Sequence, residues 1–258
     1  MGHPALDLTS RTAVVIGGTS GIGLCLAEGL ARAGADVIPT GRRSELVRCA
    51  SERVRTLGRK SLDISCDVTD SLSLEELHRR TCAEFGKVDV LVNCAGKTLR
   101  APTVEIPECE WQSVLDTNLN GTLRACRIFG RGMVERKYGR IINIASLASF
   151  VGFYEVAAYA ASKAAVASLT KSLAVEWAAS GVCVNAIAPG IFVTDLNAGM
   201  LNGTPRAQEL RLRTPMRRFG RIEELVGACV FLASEAASFV TGHVLVVDGG
   251  FLASGVNQ

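Results

Sequence analysis

Long apolar runs are absent from this 258-residue chain: no stretch of about 18 uncharged apolar residues occurs, which predicts no membrane-spanning helix. Asp7 stands where a secretory leader would be basic and then apolar. Excess charge of one sign is also missing, because Lys+Arg 28 against Asp+Glu 25 leaves a formal net charge of only +3. Sequence-independent nucleic-acid binding needs a concentrated basic surface. We therefore expect a cytoplasmic protein that binds neither membranes nor nucleic acid.

Aromatic residues are scarce at 5%, whereas hydrophobic residues make up 48% of the chain, enough to bury one large aliphatic core. The nine cysteines include no Cys-x-x-Cys pair and fall mostly in apolar stretches, so we interpret them as reduced core thiols. His3, His78 and His243 are scattered without ligand spacing, which predicts no metal site. We expect a single domain over residues 1–258.

Short runs rich in β-branched residues alternate with longer helical segments, which is typical of βαβ units and a parallel sheet. Pro39 cannot donate a ladder hydrogen bond, so it belongs at the carboxyl end of the second strand or on a bulge. The pattern predicts an α/β fold, a doubly wound Rossmann-type domain whose seven-stranded parallel sheet is flanked by helices. The predicted strands are Thr12–Ile16, Val37–Thr40, Ser61–Cys66, Val88–Asn93, Arg140–Ala145, Val182–Ala188 and His243–Val247.

A glycine-rich turn joins the first predicted strand to the first helix. Glycine allows backbone N–H groups to approach a pyrophosphate, and the helix N-terminus favours its negative charge. The spacing is G-x-x-x-G-x-G rather than G-x-G-x-x-G, so a purely structural turn is an alternative. The residues predicted to bind a dinucleotide here are Gly17, Thr19, Ser20, Gly21, Ile22 and Gly23.

Further motifs follow that turn in a fixed order: Asn93-Cys94-Ala95-Gly96, Asn118, Ser146, Tyr159 with Lys163, and Pro189-Gly190. Together they resemble the short-chain dehydrogenase/reductase family over essentially the whole chain, and in particular its gluconate 5-dehydrogenase-like and 3-oxoacyl-carrier-protein reductase-like members. Two positions depart from the family pattern, Ile16 where threonine is usual and Cys94 where a second asparagine is usual. Both substitutions put local rigidity in doubt rather than proton transfer.

Tyr159 and Lys163 are four positions apart and therefore lie on one face of a helix. A nearby ammonium stabilises a phenolate, although Lys163 alone would hardly lower the tyrosine pKa far enough for catalysis near neutral pH. The resemblance implies that Tyr159 is the general acid and base, that Lys163 also binds the nicotinamide ribose, and that Ser146 holds the substrate oxygen. It further implies that Asn118 anchors a proton relay. These four are the predicted catalytic residues.

The end of the second strand bears on the choice of nicotinamide cofactor. An NAD enzyme places an acidic residue there, whereas this chain has Gly41 followed by Arg42 and Arg43, whose guanidinium groups suit a 2′-phosphate. We therefore expect NADP(H), with NAD(H) as the less favoured alternative. The resemblance adds further cofactor contacts, namely Asp67 and Val68 at the adenine, Thr194 at the carboxamide, and Asn93, Ala95, Gly96, Pro189 and Gly190.

Substrate specificity is expected in three segments that follow strand ends: residues 97–100, residues 150–154 and a long irregular segment over about 190–221. The last is basic, which indicates either a solvated helical face or recognition of an anionic substrate. The arginines concerned are Arg206, Arg211, Arg213, Arg217 and Arg218.

The expected reaction is hydride transfer between nicotinamide and a carbonyl or secondary alcohol, with a sugar acid or polyol as the substrate. One alternative is a 3-oxoacyl-carrier-protein reductase, which is disfavoured because Ala179-Ser180-Gly181 lacks the arginine expected before that glycine. Another is a nucleotide-binding redox sensor or scaffold without catalysis. The resemblance also implies a homo-tetramer or dimer.

Overall fold

The computed structural model describes residues 3–194, 198–201 and 203–256. A parallel six-stranded sheet with the order β2-β1-β3-β4-β5-β6 forms its centre. The strands are β1 Thr12–Ile16, β2 Asp36–Thr40, β3 Val90–Asn93, β4 Gly139–Ile144, β5 Val182–Pro189 and β6 Val244–Val247. The helices are α1 Gly21–Arg32, α2 Ser44–Thr56, α3 Ser71–Phe85, α4 Glu108–Leu115, α5 Gly121–Glu135, α6 Ala157–Trp177, α7 Ala198–Leu201, α8 Pro205–Arg213 and α9 Val226–Ala233. This architecture is the expected Rossmann-type fold.

Helices cover both faces of the sheet because successive strand residues point to opposite sides. Val15 packs with side chains of α1 and α9, whereas its neighbours Val14 and Ile16 pack with α3 and α5. The strands consequently read as unbroken apolar runs, and every residue of β1 is buried. This two-sided core holds the carboxyl ends of the central strands at one edge of the sheet.

The prediction of seven strands is wrong at one place, since Ser61–Cys66 forms no strand. The segment runs beside edge strand β2, but the bonds there are scattered: the Val37 N–H donates to the Lys60 carbonyl before the segment, the Cys66 N–H donates to the Gly41 carbonyl after β2, and the Thr40 hydroxyl donates to the Ile64 carbonyl. By alternation, position 39 also faces this segment, and Pro39 has no N–H to give. The proline thus interrupts the ladder that a seventh strand would need, and it sits without a bulge one residue before the end of β2.

Of the predicted segment 190–221, residues 195–197 and 202 lie outside the described residues, and the described part is less irregular than predicted because it includes α7 and α8. The segment begins and ends together: Phe192 forms an isolated parallel bridge with Gly220, and the Gly220 N–H donates to the Ile191 carbonyl at 2.9 Å. It is therefore an excursion from the carboxyl edge of the sheet with a closed base.

All nine cysteines lie in the described part of the chain and none is in a disulfide. Four are buried, but Cys49 and Cys109 are exposed, so the interpretation of the cysteines as core thiols holds only for some of them. Within the described ranges, every helix falls short of the length or the apolarity needed to cross a bilayer. The same residues contain no cluster of three His, Cys, Asp or Glu side chains suited to a metal ion.

Candidate active site

A cleft of about 640 Å³ runs along the carboxyl edge of the sheet. It extends from the residues after β2, at the sheet edge, past the ends of β1 and β3 to the end of β4 and the first turn of α6. Its lining brings together Arg42, Asp67, the 17–23 turn, Tyr159 and Lys163. Residues more than 100 positions apart in the sequence therefore share one elongated cavity.

The glycine-rich turn forms the central wall of this cleft, and its glycines are sterically required. Gly17 has φ +80°, and a Cβ there would lie 2.5 Å from the backbone nitrogen of Ala95. A Cβ on Gly23 would overlap the Gly17 carbonyl oxygen. Ser20 caps α1 without using its side chain, which leaves the first N–H groups of the helix pointing at the cleft. The turn is shaped for close approach of an anion.

Asp67 and Val68 line the end of the cleft that also contains Arg42. The Thr69 N–H and hydroxyl donate to Asp67 Oδ1 at 2.9 and 2.8 Å. Partial burial acts to raise the pKa of this carboxyl, but the two Thr69 hydrogen bonds and the nearby Arg42 guanidinium together hold the pKa below its ordinary value. Asp67 is therefore a fixed carboxylate with one oxygen fully engaged.

Arg42 and Arg43 line the same end of the cleft and are exposed. Within the described ranges neither has an ion-pair partner within 4.0 Å. The neighbouring Gly41 faces Thr19, because a Cβ at position 41 would lie 3.1 Å from Thr19 Oγ1. This corner carries two exposed arginines and no acidic side chain at position 41, where any Cβ would press closely on Thr19.

Tyr159 is half-buried in the first turn of α6, and its hydroxyl lies near the side chain of Ser146, which follows β4. Burial raises the tyrosine pKa, while the nearby Ser146 hydroxyl acts to lower it. The Ala148 N–H donates to Ser146 Oγ at 3.1 Å and fixes the serine in the turn after β4. The two predicted catalytic hydroxyls are therefore adjacent, and the phenol is protonated at neutral pH.

Lys163 is buried, and its Nζ donates to the Ile144 carbonyl at 2.6 Å. Desolvation lowers its pKa to about 8, although the neighbouring Cys94 acts in the opposite sense. Its Nζ lies 5.8 Å from the centroid of the Tyr159 ring rather than at the phenol oxygen. The expected shared face of Tyr159 and Lys163 exists, but the ammonium is held by β4.

Asn118 lies where the helix widens to π geometry over Asp116–Asn120, and it is fully buried. Its Oδ1 accepts from the Lys97 N–H at 2.8 Å, and its Nδ2 donates to the Lys97 carbonyl at 2.9 Å and to Ser162 Oγ at 2.9 Å. Ser162 Oγ in turn donates to the Tyr159 carbonyl at 2.7 Å. The Asn118 side chain thus clamps the loop after β3 to the helix that carries Tyr159.

Three residues predicted to bind the cofactor lie outside the lining of the cleft: Asn93, Pro189 and Gly190. The Asn93 Nδ2 donates to Asn143 Oδ1 at 2.8 Å, inside the core. Pro189 ends β5, and the Gly190 N–H donates to the Val247 carbonyl, so both connect strand ends. In the structure these residues support the walls of the cleft. Ala95, Gly96 and Thr194 do line it.

The basic character of the 190–221 segment is used locally. Arg218 forms a two-pronged ion pair with Glu224, with both distances 2.7 Å. The other contacts are Arg211 over Phe219, Arg213 over Phe251, Arg206 donating to the Tyr154 carbonyl and Arg217 donating to the Leu212 carbonyl. None of the five is in the lining of the cleft. These contacts favour the interpretation as a local surface over anion recognition.

Ser113 and Thr117 line the cleft but were not predicted from the sequence. They lie beside Lys97, which was expected at the substrate and whose Nζ donates to Ser113 Oγ at 2.8 Å. The four-residue spacing of Ser113 and Thr117 placed two hydroxyls on one helix face and was an available signal. The carbonyl of Ile144 carries no side-chain signal and could be found only from coordinates.

A dinucleotide-sized cleft on a Rossmann-type sheet, ending at a tyrosine and a buried lysine one helical turn apart, defines a nucleotide-dependent oxidoreductase. The family profile described as enoyl-(acyl carrier protein) reductase matches residues 17–252. The chain belongs to this family, within the short-chain dehydrogenases/reductases.

Individual relatives extend over nearly the full length. The 2-dehydro-3-deoxy-D-gluconate 5-dehydrogenase of Bacillus subtilis (strain 168) is 44% identical over 253 residues, 97% of this chain and 98% of that protein. A gluconate 5-dehydrogenase from Burkholderia cenocepacia J2315, solved with NADP and tartrate, superposes with a TM-score of 0.93 at 37% identity, covering 97% and 98% of the two chains. A 3-oxoacyl (acyl-carrier-protein) reductase from Agrobacterium tumefaciens C58 with NADP bound gives 0.87 at 35% identity, covering 95% of each.

Gly23→Ala tests the steric requirement of the turn. The added Cβ overlaps a backbone oxygen, so the turn must shift, at a cost of about 1–3 kcal/mol in stability, and nucleotide affinity should fall at least about tenfold. Thermal unfolding and dinucleotide titration would measure both. Gly227→Ala, in α9 with nothing within 4 Å of the added carbon, is the control and should bind normally. Normal binding by Gly23→Ala would contradict the steric argument.

Lys163→Met tests the desolvation of the ammonium. Since the native pKa of about 8 is below the ordinary 10.5, the unfolded state binds more protons in this window, and wild-type stability rises with pH there. Between pH 8 and 10.5 the free energy of unfolding of the wild type should therefore increase by about 3 kcal/mol more than that of the variant, as measured by urea denaturation. Lys171→Met, exposed on the same helix, should follow the wild type. A constant difference between Lys163→Met and wild type would refute the assignment.

Proposed function

We propose that this chain is an NADP(H)-dependent oxidoreductase that interconverts a secondary alcohol and a carbonyl on a sugar acid, with Tyr159, Lys163, Ser146 and Asn118 as its working residues. The observation that carries the proposal is that one cleft of about 640 Å³ has two exposed arginines at one end and the tyrosine and lysine at the other. Its dimensions and polarity suit a dinucleotide that bridges the two ends.

The residues present fit NADP(H). The turn at 17–23 is a cradle in which a Cβ would block the approach of a pyrophosphate, and α1 directs its N-terminus there. Arg42 and Arg43 would hold the 2′-phosphate, and Asp67 with Val68 would meet the adenine. When bound, the nicotinamide supplies or accepts the hydride. NADP in the Burkholderia and Agrobacterium structures supports this choice of cofactor.

The proton is transferred by the hydroxyls of Tyr159, in the first turn of α6, and Ser146, in the turn after β4. In reduction, Tyr159 gives its phenolic proton to the carbonyl oxygen, while Ser146 holds the same oxygen by a hydrogen bond. Because burial raises the pKa of Tyr159, the phenol is in its donating form at neutral pH. Reduction is then favoured near pH 7, and the oxidative direction accelerates as the pH rises. Asn118 holds the loop after β3 against α6, and Lys163 places its charge beside Tyr159.

The sugar-acid substrate rests on relatives with gluconate-type names, of which the Bacillus protein is 44% identical. The arginines of the 190–221 segment have local partners, so we assign recognition of the substrate to the mouth of the cleft near Lys97 instead. Reduction of a 3-oxoacyl carrier protein is the second candidate, since the family profile and one structural relative have acyl-carrier-protein names. We further propose a cytoplasmic homo-oligomer, a dimer or tetramer, with contacts through α5 and α6.

Arg42→Ala combined with Arg43→Ala tests cofactor selection. Loss of two charge-assisted hydrogen bonds should raise the KM for NADPH at least about tenfold and leave the KM for NADH within about twofold. Steady-state kinetics with both cofactors would measure this ratio. The control is Arg48→Ala, which removes an exposed arginine paired with Glu45 on the same helix and should change neither value. An equal effect on both cofactors would count against 2′-phosphate binding.

Tyr159→Phe tests the reaction itself. Without the phenolic proton, kcat should fall about 10²–10⁴-fold while dinucleotide affinity is retained. NADPH consumption would be followed with keto sugar acids, neutral ketoses and 3-oxoacyl thioesters, and the wild type should prefer the first group. Tyr138→Phe is the control, because Tyr138 packs between the guanidinium groups of Arg11 and Arg140 outside the cleft. Full activity of Tyr159→Phe would refute Tyr159 as the proton donor, and a wild type that binds the dinucleotide without consuming it on any of these substrates would favour a non-catalytic sensor.

A further inference from the structure

A buried polar network lies beneath the cleft, inside the otherwise apolar layer between the sheet and α5 and α6. Asn93 and Asn143 are cross-strand partners on β3 and β4, and Asn93 Nδ2 donates to Asn143 Oδ1 at 2.8 Å. Asn143 Nδ2 donates to Thr170 Oγ1 at 2.9 Å, and the Thr170 hydroxyl donates to the Val166 carbonyl at 2.8 Å. Asn143 and Thr170 are both fully buried.

Such a network is costly to bury unless its groups are paired, and an apolar side chain would fill the same volume without that cost. The pairing here is continuous from β3 through β4 to α6, with Cys126 of α5 accepting a second bond from Asn93 Nδ2 at 3.3 Å. Each amide therefore depends on its neighbour for orientation. Removing one hydroxyl would leave the Asn143 amide group without its acceptor.

The three linked elements are those that build the catalytic end of the cleft. Asn93 directly precedes the Cys94–Gly96 wall, and Thr170 follows Lys163 by seven residues, about two turns on the same face of α6. Asn143 directly precedes Ile144, whose carbonyl accepts the Lys163 ammonium at 2.6 Å. The network thus connects the position of that acceptor to the helix that carries its donor.

We infer that Thr170, through Asn143, is a positioning residue that holds the Ile144 carbonyl beneath the Lys163 ammonium and so sets the geometry of the catalytic end. Its contribution to turnover rests on the proposed function; its effect on Lys163 does not. The titratable groups that face Lys163 are Cys94 from the end of β3 and Tyr159 on its own helix. The Thr170 hydroxyl is hydrogen-bonded to Asn143 and to the Val166 carbonyl of its own helix, so a variant that keeps the hydroxyl separates its loss from other changes at this position.

The test compares Thr170→Val, which removes the hydroxyl at nearly constant volume, with Thr170→Ser, which retains it. A displaced Ile144 carbonyl would solvate the ammonium less well, so the pKa of Lys163 should fall by about half a unit or more in Thr170→Val. The free energy of unfolding is measured by urea denaturation at pH values from 6 to 10.5, and the readout is the pH at which it begins to rise. This measurement does not require enzymatic turnover. Thr170→Ser should match the wild type. Thr170→Ala would replace Thr170→Val if the latter does not fold.

The second readout is kinetic. For Thr170→Val we expect kcat to fall about five- to tenfold, the loss of one hydrogen bond, with both KM values within about twofold and with the alkaline limb of the pH profile moved to lower pH. Thr170→Ser should retain most of the wild-type kcat. An inactive wild type would refute the proposed function and leave the titration result standing. Unchanged titration and kcat in Thr170→Val, or equal losses in the two variants, would overturn the positioning role.

Discussion

The buried ammonium of Lys163 is the constraint on which the rest of the site depends. A cation removed from water requires a strong acceptor, and the Ile144 carbonyl at the end of β4 supplies it at 2.6 Å. That contact places the first turn of α6 against the carboxyl edge of the sheet, and Tyr159 beside Ser146. Burial lowers the affinity of the lysine for its proton and raises that of the tyrosine for its own. The same desolvation thus moves the pKa values of the two neighbouring groups apart, and it favours the uncharged form of both.

The packed core that stabilises the fold and the reactive groups of the cleft lie in different parts of the structure. The two apolar layers on either side of the sheet hold the strands rigid, while reactive groups occur only where strands end and backbone turns outward. Polar side chains that remain within the layers, such as Asn93 and Asn118, are engaged with the backbone or with one another. They act on the cleft by placing its walls rather than by lining it.

Much of the fold and site was predictable from residues alone. Period and composition located six of the strands, and the glycine turn, Arg42, Asp67, Tyr159 and Lys163 were all predicted for a cleft that the coordinates then assembled. The prediction of a strand at Ser61–Cys66 is wrong because Pro39 of β2 has no N–H to donate to this segment. The sequence contains the proline, but only the order of the strands shows that its missing N–H faces Ser61–Cys66. For Asn93 and Gly190 the motif indicates that the residue is needed near the site, but not whether it lines the cleft, and in the structure neither residue does. The Ile144 carbonyl could not be predicted, since every residue type carries one.

The closed base of the 190–221 excursion has a consequence for how such a protein diversifies. Because Phe192 and Gly220 meet beside the sheet, the chain between them is a side loop whose length and sequence can change at a small entropic cost, which grows only with the logarithm of its length. New recognition surfaces can then be acquired without changing the pairing of β5 or the position of Tyr159. A single reaction scaffold bounded in this way can serve many alcohols over evolutionary time.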